Sequence, residues 1–289
     1  MFKGCFTAIV TPFRKGELDE ENFRGLIQFQ LEKGVDGIVP CGTTGESPTL
    51  SYEEHKRIIQ ITLEEVKGKV PVIAGTGSNS TREAEELTLY AKEAGADAAL
   101  VITPYYNKPT QKGMEIHYKK LAEIGLPIII YNVPSRTGVN IHPSTVGKLS
   151  KVKNIIGIKE ASGSMDQISS IISCVDPEFE VFSGDDSLTL PILSLGGVGV
   201  ISVLSNLLPG EVTQMVRAWL EGDYQKAKEL HYKLYPLFKA MFIETNPIPV
   251  KTAMAKLNMI PKEWRPPLSE MEKENEERLE KVMADSGLI

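Results

Sequence analysis

The sequence predicts an α/β fold, a (β/α)8 TIM barrel with a C-terminal helical extension. Short β-rich runs alternate with segments of helical period from the start to about residue 205, the runs number eight, and no linker or low-complexity stretch interrupts them. Such alternation makes a parallel sheet joined by crossover helices. Eight units close it into a barrel whose active site lies at the C-terminal ends of the strands.

The strand candidates, in order, are Phe6 to Thr11, Gly37 to Cys41, Val70 to Ala74, Ala98 to Thr103, Ile128 to Tyr131, Ile155 to Lys159, Glu180 to Ser183 and Val198 to Ser202. Each is short, rich in branched apolar residues and bounded by turn formers. Helical periodicity fills the gaps at Glu20 to Lys33, Tyr52 to Val66, Thr81 to Ala94 and Gly113 to Ile124, with Asp19 and Ser80 placed to cap two of these helices. After Ser205 the strands stop. Glu211 to Leu220, Gln225 to Phe242, Pro249 to Leu257 and Glu270 to Ala284 read as successive helices. We expect a barrel domain over residues 1–222 and a helical domain over 223–289.

A chain of 289 residues has ample apolar content for a full core. Its formal charge of -6, with no block of lysine and arginine, argues against nucleic acid or an anionic membrane as a partner. An anionic substrate must then be held by local cations. Cys5, Cys41 and Cys174 form no CxxC pair, which implies neither a disulfide framework nor a zinc site and leaves them as reduced, mostly buried small hydrophobes. The N-terminal stretch lacks the features of a secretory signal and no apolar run reaches transmembrane length, so a cytoplasmic protein is expected.

The residue that carries the most chemistry is Lys159, at the end of the run Asn154-Ile155-Ile156-Gly157-Ile158. In a strand buried on both faces, alternation puts Ile155, Gly157 and Lys159 on one face. The desolvated amine is then biased toward its neutral, nucleophilic form, able to attack a carbonyl and form a Schiff base. The alternative is a strand-end stem that snorkels to solvent. The neighbouring strand ends are polar too. Gly42-Thr43-Thr44-Gly45-Glu46-Ser47 offers hydroxyls and amide groups for a carboxylate, or is an ordinary turn. Tyr131 brings a phenol beside Lys159 for proton relay, or is a barrel-core aromatic, while Arg136 in the following loop offers a bidentate fork, or is merely solvated. Thr103-Pro104-Tyr105-Tyr106-Asn107-Lys108-Pro109 is a paired aromatic in a proline-bounded loop, suited to entering a partner subunit.

Other motifs return little. Gly75-Thr76-Gly77-Ser78-Asn79-Ser80 lacks the third glycine of a dinucleotide fingerprint, and there is no phosphate loop of the Walker type. His55, His117, His142 and His231 show no metalloprotease spacing. Gly184-Asp185-Asp186 reads as a cap on the next helix rather than a magnesium site. The glycines from Gly196 to Gly199 open a rival reading as a phosphate site.

Taken together these motifs resemble the dihydrodipicolinate synthases, pyruvate-dependent barrel enzymes of lysine biosynthesis, over essentially the whole chain. The resemblance rests on AIVTPF (Ala8 to Phe13), GTTGES (Gly42 to Ser47), TPYYNKPTQ (Thr103 to Gln111), YNVPSRTG (Tyr131 to Gly138), GIKEASG (Gly157 to Gly163) and NPIPVK (Asn246 to Lys251). It implies that Lys159 forms an imine with pyruvate and that Thr44 and its loop amides hold the pyruvate carboxylate. Thr43, Tyr131 and Tyr106 form a proton relay, with Tyr106 supplied by a neighbouring subunit. Arg136 binds the carboxylate of L-aspartate 4-semialdehyde, and Gly184 and Ile201 give backbone contacts beside the imine. The product implied is 4-hydroxy-tetrahydrodipicolinate, on the diaminopimelate route to lysine, with no metal or organic cofactor because the lysine is itself the electron sink. The resemblance also implies a homotetramer built as a dimer of dimers, and an interface site for inhibitory lysine at Ser47, His55, Asn79, Glu83 and Tyr105. Pro48 and Tyr52 depart from the pattern of strongly inhibited members.

Three rivals stand beside this reading. An N-acetylneuraminate or 2-keto-3-deoxy sugar-acid lyase would share Lys159 and Tyr131 but want hydroxyl and amide partners where Arg136 stands. A barrel acting on phosphorylated substrates would not require Lys159. A non-catalytic amino-acid sensor would not require Lys159, Tyr131 or Thr43.

Overall fold

The computed structural model describes residues 2–289. Eight parallel strands make the barrel: β1 (Gly4–Ala8), β2 (Gly37–Val39), β3 (Ile73–Gly75), β4 (Ala98–Ile102), β5 (Ile128–Asn132), β6 (Ile155–Glu160), β7 (Glu180–Ser183) and β8 (Gly199–Ser202). They run in the order β2-β1-β8-β7-β6-β5-β4-β3. A single bridge between Ile38 and Val72 brings β2 against β3 and all but closes the ring.

The helices α1 (Glu20–Glu32), α2 (Tyr52–Val66), α3 (Thr81–Ala94), α4 (Gln111–Glu123), α5 (Pro134–Thr137), α6 (Pro143–Leu149), α7 (Met165–Ile172) and α8 (Thr189–Ser194) lie between the strands. Then α9 (Pro209–Leu220), α10 (Tyr224–Ala240), α11 (Ile248–Lys256) and α12 (Lys273–Asp285) follow the last strand. Helix starts are written in the sequence. Asp19 and Ser80 accept from Asn22 N and Glu83 N, and Ser51 and Glu54 form a reciprocal capping box at the start of α2.

Two apolar clusters share the strands. The larger fills the space between strands and helices, and the smaller fills the barrel interior. Part of that interior is occupied by Phe6 and Phe182, whose rings meet edge to face at 5.5 Å between centroids. A side chain at Gly37 would drive its Cβ into the Phe6 ring, so glycine there makes room for the aromatic.

Three local expectations are corrected. Strand β1 ends at Ala8, because Val10 and Thr11 leave the ladder for other partners: Val10 N donates to Asn206 Oδ1 and Thr11 Oγ1 donates to the Gly45 carbonyl. In β6, Ile155 does not share a face with Gly157 and Lys159. The register against β5 shifts there, pairing Ile128 with Ile155 but Ile129 with Gly157, so Ile155 packs in the outer cluster and Ile156 against the inner one. Of the acidic pair, only Asp185 caps the following turn. Asp186 is buried and accepts from Val203 N and Leu204 N, tying down the chain just after β8. A short hairpin at Phe13–Arg14 and Glu17–Leu18, not anticipated from the sequence, precedes α1. Cys5 and Cys41 are buried as expected, whereas Cys174 is exposed. No helix among the described residues is long and apolar enough to cross a membrane.

Candidate active site

The parallel register sets the centre of the site. Tyr131 on β5, Lys159 on β6 and Phe182 on β7 are successive register partners, which aligns their Cα atoms across three neighbouring strands. Lys159 is 6 % exposed, and its Nζ lies 4.2 Å from the centre of the Tyr131 ring. No carboxylate among the described residues forms an ion pair with it. A buried lysine without a counter-ion is held by an aromatic face alone, an arrangement that leaves the nitrogen available for chemistry. Gly184, just past β7, supports it from the side: a Cβ there would stand 2.7 Å from Ala161 Cβ and 3.1 Å from Lys159 Cε, so any side chain would push the lysine stem. Ile201 on β8 belongs to the interior cluster.

Above the lysine opens a cavity of about 910 Å³. Thr43, Tyr131, Tyr106 and Arg136 line it, and so do Ser47, His55, Glu83 and Tyr105. These eight, four from each of the two sites that the resemblance assigns, therefore face one continuous space in the single chain. Lys159 stands one side chain behind its wall, covered by Tyr131. Asn79 lies off the wall and its carbonyl accepts from Asn107 Nδ2.

The cavity walls have fixed partners. His55 bonds the Gly75 carbonyl through Nε2 at 2.7 Å, and burial pushes its pKa below the usual histidine value. Ser78 Oγ donates to Glu83 at 2.6 Å. Arg136 sits in the one-turn helix α5, exposed, and donates from Nη2 to the Asn246 carbonyl at 2.9 Å. Thr44 is buried just behind the residues that line the cavity, and its Oγ1 accepts from Asn246 Nδ2 at 3.0 Å. Tyr106 is 88 % exposed on a residue with φ of 68°, a left-handed conformation that a tyrosine rarely adopts.

Residues not singled out from the sequence hold the Gly42 to Ser47 loop. Glu46 is fully buried and ion-paired to Lys251 on α11, whose Nζ also donates to the Thr11 carbonyl at 3.0 Å and lies over the Phe13 ring. Burial pushes Lys251 below the ordinary lysine value, even with Glu46 pulling it up. Arg265 extends this anchor through its backbone N to Glu46 and its guanidinium to Glu54. The signal was present: Lys251 stands in the otherwise uncharged, mostly apolar stretch Ile248 to Met254, a position at which a charge implies a partner. Among the described residues no three histidine, cysteine or acidic side chains gather as a metal site.

A TIM barrel with a buried, unpaired lysine near the end of its sixth strand and a phenol beside it is the arrangement of a Schiff-base enzyme. The comparisons with known proteins are of the same kind, and the chain belongs to the dihydrodipicolinate synthetase family, whose model matches residues 1–286. It is 58 % identical to the 4-hydroxy-tetrahydrodipicolinate synthase of Syntrophus aciditrophicus, with all of both chains covered. The crystal structure of dihydrodipicolinate synthase from Aquifex aeolicus superposes with a TM-score of 0.97 at 52 % identity over 99 % of each chain. That of the chloride-inhibited enzyme from Acinetobacter baumannii complexed with pyruvate gives 0.98 at 42 % identity over the whole of both chains.

Proposed function

We propose that this chain condenses pyruvate with L-aspartate 4-semialdehyde to give 4-hydroxy-tetrahydrodipicolinate, a step of diaminopimelate and lysine biosynthesis. The observation that carries the reading is Lys159, buried at the strand end without a counter-ion and covered by Tyr131. Relatives more than half identical over their full length bear the synthase name.

The chemistry follows from the residues. The Lys159 amine adds to the keto carbon of pyruvate, and loss of water gives an imine whose positive nitrogen acts as an electron sink, so that the proton relay can take a proton from the methyl group and leave an enamine. The resulting enamine carbon attacks the aldehyde carbon, forming the new C–C bond. The substrate amino group then attacks the imine carbon, closing the ring and releasing Lys159 unchanged. Tyr131 and Thr43, on the cavity wall beside the lysine, shuttle protons with Tyr106. Thr44 and the loop amides hold the pyruvate carboxylate, Gly184 and Ile201 border the imine, and Arg136 binds the carboxylate of the aldehyde. That arginine favours the synthase over a sugar-acid lyase, since a polyol offers a guanidinium no anion.

We infer that a second copy supplies Tyr106. Its 88 % exposure in one chain, on a strained backbone position, supports a residue placed for a neighbour. Exposed Tyr224, Tyr232 and Tyr235 on α10 support a second contact and hence a tetramer built as a dimer of dimers. Ser47, His55, Glu83 and Tyr105, with Asn79 behind them, form the proposed lysine site, and a biosynthetic role fits a cytoplasmic location. Turnover of pyruvate with L-aspartate 4-semialdehyde tests the reading, with N-acetylneuraminate and 2-keto-3-deoxygluconate cleavage as controls. Condensation with inert controls is expected, and cleavage of a sugar acid alone would overturn the substrate assignment.

A further inference from the structure

Asn246 stands between two side chains that the proposed reaction uses. It directly precedes the cis-linked Pro247 at the start of α11 and is 5 % exposed. Its Nδ2 donates to Thr44 Oγ1 at 3.0 Å, and its carbonyl accepts from Arg136 Nη2 at 2.9 Å. Its Oδ1 is also buried but has no hydrogen-bond partner among the described residues. The amide is therefore held at the threonine through its NH2 end. A threonine hydroxyl has one proton to give and two lone pairs. Once a lone pair is taken by an N–H, the proton must be donated elsewhere, and Thr44 Oγ1 has no other partner among the described residues. A carboxylate, which only accepts, is the ligand such a hydroxyl suits.

We propose that Asn246 is a positioning residue for the pyruvate site: by donating to Thr44 Oγ1 it commits the Thr44 hydroxyl to donate to the substrate carboxylate. This rests on the reading in which Thr44 binds that carboxylate. The backbone carbonyl meanwhile holds Arg136 in place, a contact that side-chain substitution leaves intact. Asn246 thus acts through its side chain on pyruvate alone.

The test is borohydride trapping of the pyruvate imine, which reads the half-saturating pyruvate concentration without the aldehyde, combined with steady-state KM values for both substrates. Asn246→Ala removes one neutral hydrogen bond and is expected to raise half-saturating pyruvate about fivefold, with the aldehyde KM within about twofold of wild type. Asn246→Asp is nearly isosteric, so it serves where the alanine variant folds poorly. It accepts where asparagine donates and adds a negative charge, so about a tenfold or larger rise is expected. Thr44→Val gives the reference rise, and Asn246→Ala added to it should cost nothing more, because the asparagine then has no hydroxyl to direct. An unchanged pyruvate requirement in Asn246→Ala, or a full further loss on top of Thr44→Val, overturns the inference while leaving the role of Thr44 standing. No effect of Thr44→Val on pyruvate overturns the carboxylate reading itself, and this inference with it.

Discussion

Lys159 and Tyr131 are register partners on adjacent strands, and the Nζ of one lies 4.2 Å from the ring centre of the other. The chain contains a second deeply buried lysine, Lys251, and the contrast defines both. Lys251 is locked to Glu46 and to the Thr11 carbonyl. Among the described residues Lys159 Nζ has no ion-pair or hydrogen-bond partner and faces the Tyr131 ring, so one lysine is a strut while the other is unengaged.

Arg136 is exposed at the cavity wall, and among the described residues its guanidinium bonds a single backbone carbonyl, which leaves most of its fork for a ligand. Arg136→Ala is expected to lower kcat/KM for L-aspartate 4-semialdehyde by about 100-fold or more, through loss of a bidentate carboxylate pair. Imine formation with pyruvate alone should be unaffected. Parallel steady-state and trapping assays check this, and a parallel loss in trapping would place the arginine elsewhere in the mechanism.

Tyr106→Phe removes only a hydroxyl from a side chain 88 % exposed in the single chain. Stability should stay within about 0.5 kcal/mol of wild type while turnover falls by about 10- to 100-fold. Mixing Tyr106→Phe with Arg136→Ala chains under subunit exchange should restore part of the activity if the phenol crosses between copies. No restoration would confine Tyr106 to its own chain.

How far the sequence revealed this arrangement depends on range. Strand identity and helix starts were legible because they are local: short runs of branched apolar residues bounded by turn formers marked β5 to β8, and the caps Asp19 and Ser80 marked two helix starts. Lys159, Tyr131 and Arg136 were legible because barrel topology collects strand ends at one face. The bulge that turns Ile155 outward was not, since register belongs to the pair of strands and not to either one. Nor were the contacts of Lys251 with Glu46 and of Asn246 with Thr44, which join residues more than 200 positions apart.

The buried pair predicts a stability signature. Glu46→Gln leaves the Lys251 charge unpaired in a fully buried site and is expected to cost about 3–5 kcal/mol, a fall in Tm on the order of 10 °C. Combining it with Lys251→Met should recover most of that loss, because neither charge then remains. Thermal unfolding of the three variants gives the answer, and a double variant as unstable as Glu46→Gln alone would show that packing around Lys251, rather than its charge, carries the anchor.

Glu54 supplies the pH dependence. The Arg265 guanidinium, with further help from the Ser51 backbone N–H, holds its carboxyl at about 2 against the 4.5 of a free glutamate. A group whose folded pKa is depressed stabilises the fold above its unfolded pKa, and that stabilisation is lost as pH falls toward the folded value. The window therefore runs from about pH 4.5 down to about pH 2, with about 2 kcal/mol at stake for this partly solvated pair. Glu54→Gln should be less stable at pH 7, and its stability should fall less steeply than wild type between pH 5 and the acid transition in denaturant titrations. Parallel curves for the two proteins would remove the pair from the acid response.

The central claim is that Lys159 is the nucleophile, and peptide mapping after borohydride reduction in the presence of pyruvate addresses it most directly. The account predicts a single reduced adduct on the peptide containing Lys159, absent from Lys159→Arg, whose guanidinium cannot form the imine. An adduct on another lysine, or none at all in a folded protein that still turns over pyruvate, would contradict it.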